Sequence, residues 1–525
     1  MNTTEFLTIS AAIVPEREAV IFENVRLSFA QLQERVYKLA NTMAEVGITK
    51  GSRVAMLQVN TNEVIEAYFA TASLGGIFVP LNFRAKAEEL RFMLNNSESG
   101  LLFVGKRYLD LVNSIKKELT TVKHIICLEE TSPPIPTYED FLAKGSEDPV
   151  FTEIDDEDTS ILMFTAGTTG QPKGVMLAHS NFSSYILNNV TPADPEAPQE
   201  KNLLSVPLYH IAGVQAMMAA IYGGRTIVVE RQFEPVEWMN LIEQEQVNRV
   251  MLVPTMLKQL MDHPDFKKHD LSSIKVITYG AAPMPLEVLK KALQEFPGTS
   301  FINAFGQTES AATITMLSPE DHVIPDNLPA QEKEKRLKRL GSIGKPLPDV
   351  EVRIVDEDGT DVPAGQVGEI VARGPRIMKG YWKQDDATRH TIKGGWLYTG
   401  DLGYWDEEGY IFLAGRAKDI IKRGGEMVSP EEVENCIFSH PKVEDVAVIG
   451  VPDETWGEMI RAVVVLKDNQ NCTPEEITEW CRARLASFKK PESVVFVEEL
   501  PRNPMGKVLK RVLREQFQAG AQQPR

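Results

Sequence analysis

Residues 164–175 read Phe-Thr-Ala-Gly-Thr-Thr-Gly-Gln-Pro-Lys-Gly-Val, and their types suit the binding of phosphate. Gly167, Gly170 and Gly174 let the backbone turn tightly and approach a ligand closely. The hydroxyls of Thr165, Thr168 and Thr169 and the cation of Lys173 sit among them. Unpaired backbone N–H groups and hydroxyls would donate to phosphate oxygens, and the lysine would balance their charge. An apolar run at 161–164 reads as a short buried strand leading into this loop.

Other stretches carry complementary chemistry. Residues 303–309, Asn-Ala-Phe-Gly-Gln-Thr-Glu, follow a second strand-like run. Glu309 could hold Mg²⁺ through oxygen, Thr308 could donate to an α-phosphate, and Phe305 could cover an adenine. Asp401, in Thr-Gly-Asp, could accept both ribose hydroxyls; Arg416, always charged, could reach ribose or phosphate. Taken singly, such an Asp or Arg is more often one half of a surface ion pair. The phosphate loop is not a Walker A motif, which ends Gly-Lys-Ser/Thr, because Pro172 precedes Lys173 and Gly174 follows it. Two histidines draw notice: His179, which reads as structural, and His210 in Pro-Leu-Tyr-His. Metal-ligand His/Cys spacing is not seen.

The elements that must position these groups alternate. Ser28 with Gln31 reads as a capping box opening a helix to about residue 46. Strands at 53–57, 77–81 and 101–104 alternate with helices at 62–74 and 88–95, a βαβ rhythm that implies a largely parallel sheet. After the phosphate loop a second α/β set follows, with strands at 202–207, 225–229, 249–253 and 275–279. Residues 350–372 change to a hairpin rhythm, a β-rich lobe. From 419 the pattern is α+β, with Ser429 and Thr473 as N-caps followed by Pro430 and Pro474. The chain has 525 residues, enough for two to four structural units, and a boundary falls near 416–418. A net charge of −18 argues against a nucleic-acid partner. Four cysteines without a Cys-x-x-Cys pair, and an N-terminus without a basic region, fit a reduced cytoplasmic protein.

The phosphate loop, with the motifs that follow it in order, resembles the signature of the adenylate-forming superfamily: acyl-CoA synthetases, peptide-synthetase adenylation domains and luciferases. The likeness runs from Leu81-Asn82-Phe83-Arg84 to Lys507. It implies an α/β fold: a large N-terminal domain (1–417) of two wound α/β subdomains plus a β lobe, and a small mobile α+β domain (418–525). It implies that ATP and CoA are used, with Mg²⁺ held by Glu309 and Thr165. Gly280-Ala281-Ala282-Pro283 would form the adenine-side loop, with Asn303, Phe305 and Gly306 beside it. Lys418 would be the hinge, and Lys507, in Met-Gly-Lys, would reach the carboxylate and α-phosphate. His210 would wall the acyl pocket, and Gly425 would belong to the CoA-side loop. Three departures are Ala166, where the family usually has Ser, Phe305, where it has Tyr, and Met505, where a small polar residue is common.

The implied function is a carboxylic acid–CoA ligase with a small-molecule acid as partner. Acetate-using relatives have Trp at the position of Gly306, so a longer acid is expected, a medium- or long-chain fatty acid first and an aromatic or alicyclic acid next. Val214, Met217, Met218, Tyr279 and Gly280 are expected to line its pocket. A module charging a carrier protein, a luciferase-like oxygenase and a nucleotide sensor share parts of the pattern. The resemblance also leaves room for a homodimer and for weak peripheral contact with a membrane.

Overall fold

The computed structural model describes residues 1–131, 134–165, 171–325, 327–423, 426–453, 455–502 and 506–517. Local signals at the helix ends are realised. The Ser28 side chain accepts from Gln31 N while the Gln31 side chain accepts from Ser28 N, opening Phe29–Glu45. Ser429 and Thr473 cap Pro430–Phe438 and Pro474–Arg482, each with proline in the first turn.

Two large sheets form the body of the large domain. In the first, Arg53–Leu57, Ile77–Pro80, Leu101–Val104, His124–Cys127 and Thr159–Thr165 run parallel. Helices Asn62–Ser73 and Ala87–Ser97 supply crossovers that cover it. The second sheet is a parallel core of six strands, the five from Lys201–Leu204 to Ser300–Phe305 and Glu18–Phe22, with antiparallel strands at its margins. Buried clusters of Val, Ile, Leu, Met and Phe fill the space between sheets and helices.

The two α/β regions are not sequential blocks. The hairpin Glu18–Phe22 and Val25–Ser28 leaves the first region and pairs with Thr226–Val229 of the second sheet. Conversely, Gly380–Tyr381 returns from beyond the second sheet to pair with Lys173–Ala178 of the first. Periodicity reports which face of a segment is buried, not which strand it meets. The β lobe pairs Glu351–Val355, Gly368–Arg373, Trp396–Trp405 and Ile411–Arg416 antiparallel. Its last strand ends at Arg416, and the small domain's sheet begins with Ile421–Arg423. The small domain stacks helices Pro430–Phe438 and Pro474–Arg482 on the long hairpin Val443–Asp453 and Gly457–Leu466. Among the described residues no helix is long and apolar enough to cross a membrane.

One buried polar chain pins the base of the phosphate-loop strands. His179 Nδ1 accepts from Thr3 N at 3.2 Å and lies 2.8 Å from Thr3 Oγ1. Thr3 Oγ1 in turn meets Tyr68 OH, which lies 2.9 Å from Ser160 Oγ. Burial drives the His179 imidazole down to about 4. A histidine depressed in the folded state binds its proton more readily when unfolded. Its contribution is therefore whole above about pH 6.5 and is lost as pH falls toward 4, at most about 1.4 kcal/mol per pH unit. We expect the stability of the wild type to fall over this window and the His179→Gln variant to fall less steeply, measured by denaturant unfolding at several pH values; equal slopes would contradict the assignment.

Candidate active site

Lys173 opens the strand Lys173–Ala178, which pairs antiparallel with Thr159–Thr165. Thr165 and Lys173 are register partners, and Thr165 Oγ1 donates to Lys173 O at 3.5 Å. Gly167, Thr168, Thr169 and Gly170 lie outside the described residues, as do Ala166 and Gly425. Gly174 lets the strand pack close to Leu162 and Trp382.

Glu309 stands in the short 3₁₀ turn Thr308–Ser310 after the strand Ser300–Phe305. Tyr381 OH donates to its Oε1 at 2.9 Å, and Met378 N donates to its carbonyl at 2.9 Å. Sequence reasoning missed Tyr381, which is 72 residues away and carries no motif of its own. Two further surprises flank the turn. Ala311 and Ala312 adopt left-handed backbone, φ 47° and 87°, as does Ala281 of the adenine-side loop at 64°. Such conformations cost a side chain about 1 kcal/mol or more and gather at functional sites.

Phe305 is half-buried against Ile343, Ile354 and Ile370 of the β lobe. Asn303 donates to Ser342 O at 3.4 Å. Gly280 pairs with Ala304, whose carbonyl a Cβ at Gly280 would overlap; Ala282 and Pro283 continue that loop. The expectation for Tyr279 needs correction. Its hydroxyl meets His322 Nε2 at 2.9 Å, and its ring packs in the core of the second sheet rather than forming an acyl-pocket wall. The reason is strand alternation: Tyr279 and Gly280 face opposite sides.

Asp401 and Arg416 face each other as register partners on adjacent antiparallel strands. Arg416 Nε lies 2.5 Å from Asp401 Oδ1, and Arg416 Nη1 donates to Thr399 O at 3.5 Å. Burial nonetheless raises the Asp401 carboxyl above its ordinary value; Arg416 and Lys507 oppose that shift. Lys418 is exposed in the turn after Arg416, where Asp419 N and Ile420 N both donate to Arg416 O.

The small domain leans on this site. Lys258 pairs with Glu444 across the interface, and Gly506 lies so near Thr255 that a Cβ there would overlap its hydroxyl; within the small domain Arg514 pairs with Asp419 at 2.8 Å. Residue Lys507 exposes surface, yet its ammonium is crowded: desolvation and then Arg416 push it below the ordinary lysine range, against Asp401. The charges of Arg416, Lys507 and Glu309 are thus all felt at Asp401.

His210 precedes the helix Ile211–Tyr222 and is half-buried; desolvation lowers its imidazole to about 4, so it is neutral near pH 7. Its Nε2 and the Nε2 of Gln215 on that helix have no hydrogen-bond partner among the described residues. Gln215 Oε1 accepts from Thr313 Oγ1 at 3.2 Å. Val214, Met217 and Met218 of the helix are buried. In the small domain, Trp456 is 47% exposed and lies over Arg423, whose guanidinium is 5.0 Å from the ring centroid. Sequence reading overlooked it as well, because Arg423 lies far from it along the chain. Folding also gathers His440, Cys472 and Glu476, with ligand atoms within 4.8 Å, a grouping that spacing hid. There Lys442 already sits on both Glu476 oxygens, at 2.8 and 3.1 Å, and supplies the cation.

The AMP-binding enzyme model matches residues 7–382, and the AMP-binding enzyme C-terminal domain matches 432–507. A feruloyl-CoA synthase of an Amycolatopsis species is 35% identical over 97% of both chains. The long-chain-fatty-acid–CoA ligase FadD13 of Mycobacterium tuberculosis is 32% identical, again over 97% of both. The crystal structure of the anthranilate CoA ligase AuaEII with anthranoyl-AMP superposes with a TM-score of 0.90 at 26% identity, covering 99% of this chain and 98% of that one. The chain belongs to the AMP-binding enzyme family. It is an AMP-forming acid–thiol ligase with the mixed α/β fold of adenylate-forming enzymes.

Gly306 acquires a different explanation. A Cβ there would overlap the carbonyl oxygen of Ala312, so glycine is required for the close approach of the turn that carries Glu309. We expect Gly306→Ala to lower the melting temperature and reduce turnover with every acid tried. A stable variant that merely shifts toward shorter acids would show instead that the residue acts as a pocket gate.

Proposed function

We propose that the chain joins a carboxylic acid to CoA through an acyl-adenylate. One carboxylate oxygen attacks the α-phosphorus of ATP and diphosphate leaves; the CoA thiol then attacks the acyl carbon and AMP leaves. The observation that supports this most is the Asp401–Arg416 pair at the end of the large domain's last strand, with Lys507 of the small domain and Glu309 within electrostatic reach of it.

Each residue answers a physical need. Two anions must approach each other on a protein of charge −18, so cations must be fixed locally. Lys507 would neutralise the attacking carboxylate and the α-phosphate. Lys173, with Thr165, Thr168 and Thr169, would hold the outer phosphates. Asp401 would accept the ribose hydroxyls, with Arg416 beside it. Thr308 would donate to the α-phosphate, and Phe305 would cover the adenine within the 280–283 loop. Glu309 suits Mg²⁺: it is a single hard oxygen donor whose Oε1 is fixed by Tyr381, and Thr165 adds a hydroxyl. When bound, Mg²⁺ would neutralise charge on the phosphate oxygens. Lys418 would let the small domain turn between half-reactions, bringing Gly425 and Trp456 to the CoA side.

For the acid we favour an aromatic carboxylate with a hydrogen-bonding ring substituent over a plain fatty chain. His210 Nε2 and Gln215 Nε2 are buried without partners on the segment expected to wall the acyl pocket. Covering such groups with alkyl chain leaves them unsatisfied, at about 1–3 kcal/mol each, whereas a ring hydroxyl or amine could pair with them. The aromatic acids in the names of the feruloyl and anthranilate relatives fit that preference.

A panel of hydroxylated aryl acids and fatty acids, assayed with ATP and Mg²⁺, should give AMP release that requires CoA, fastest with the aryl acids. CoA-independent AMP release would overturn the ligase reading, and preference for fatty acids would overturn the acid. Lys507→Ala should slow acyl-adenylate formation on the order of 10²–10³-fold while leaving the reaction of supplied acyl-adenylate with CoA intact. Trp456→Ala should raise the KM for CoA with little change in adenylation. Equal loss of both half-reactions in Lys507→Ala would contradict the division of labour.

A further inference from the structure

The geometry points to Tyr381 as a positioning residue that ties the metal-binding carboxylate to the phosphate-loop lysine; this assignment rests on the adenylation chemistry above. Tyr381 is buried, and its hydroxyl donates to Glu309 Oε1 at 2.9 Å. The face of its ring holds Lys173, whose Nζ is 4.8 Å from the centroid. A single side chain therefore touches the two charged groups expected on either side of the polyphosphate.

The backbone around it is over-determined. Gly380–Tyr381 pairs with Lys173–Ala178, with Tyr381 opposite Val175. Lys379 N donates to Met176 O at 3.0 Å, and Trp382 N to Gly174 O at 2.7 Å. Tyr381 N bonds Thr388 Oγ1 at 2.9 Å. Met378, three residues earlier, fixes the main chain of Glu309. The segment thus clamps Glu309 at both its carbonyl and its carboxylate while being zipped to the strand that begins with Lys173. Glu309 would hold the metal through its carboxylate, one oxygen of which Tyr381 already steadies. The tyrosine fixes the carboxylate's rotation, and its ring face restrains the flexible lysine by cation–π attraction.

Removing only the hydroxyl should loosen the carboxylate, whereas removing the ring should also release the lysine. The probe is Mn²⁺, followed by electron paramagnetic resonance on the full chain with a non-hydrolysable ATP analogue. Tyr381→Phe should weaken nucleotide-dependent Mn²⁺ binding about tenfold, the loss of a hydrogen bond to a charged group, with unchanged thermal unfolding. Tyr381→Leu should in addition weaken binding of the nucleotide itself. In a Glu309→Gln background, Tyr381→Phe should have no further effect on Mn²⁺. A Tyr381→Phe variant that binds Mn²⁺ like the wild type, or losses that simply add in the double variant, would overturn the assignment alone. A wild type without nucleotide-dependent Mn²⁺ binding would overturn the assignment together with the adenylation reading.

Discussion

A carboxylate does not approach a polyphosphate in water without help, and the molecule is arranged around that repulsion. Its overall charge of −18 makes the problem worse. Cations must therefore be held in place by structure rather than by the average field. The register that sets Asp401 opposite Arg416 does this at the end of the β lobe. It places a guanidinium beside a buried carboxylate at the edge of the large domain, where the chain passes into the small one. The small domain then brings Lys507 within electrostatic reach of the same pair. Burial raises the Asp401 carboxyl and lowers the Lys507 ammonium, and Arg416 and Lys507 both oppose the shift of Asp401.

The second support is mechanical. The turn after the strand Ser300–Phe305 is held in a costly shape, with two consecutive left-handed alanines and a glycine pressed on a carbonyl. Such a turn persists only where its surroundings fix it. Here the fixing comes from Met378 and Tyr381, which arrive from the far side of the chain sequence. The turn that carries Glu309 and the hairpin that carries Lys173 are consequently one assembly, not two neighbouring segments.

Much of this was legible beforehand, and the reason is locality. Ser28 and Gln31 are three residues apart, so their box can be read from spacing. The motifs at 164–175 and Asn303–Glu309 lie within a dozen residues each, and the family they resemble is the one the chain belongs to. What could not be read lies in contacts between distant segments. The hairpin at 18–28 joins the second sheet, and Tyr381 reaches Glu309, only because of tertiary pairing. Tyr279 looked like pocket lining because it is apolar and adjacent to Gly280; His322, which takes its hydroxyl, comes from another part of the chain. Gly306 was read by what it lacks, a bulky side chain, when the carbonyl of Ala312 is what excludes one.

The central claim is that the carboxylate oxygen attacks the α-phosphorus. It is tested most directly by labelling the acid's carboxyl group with heavy oxygen and analysing the products of a CoA-dependent turnover by mass spectrometry. The account predicts one labelled oxygen in AMP and none in diphosphate. Unlabelled AMP, or label in a phosphate product other than AMP, would contradict it.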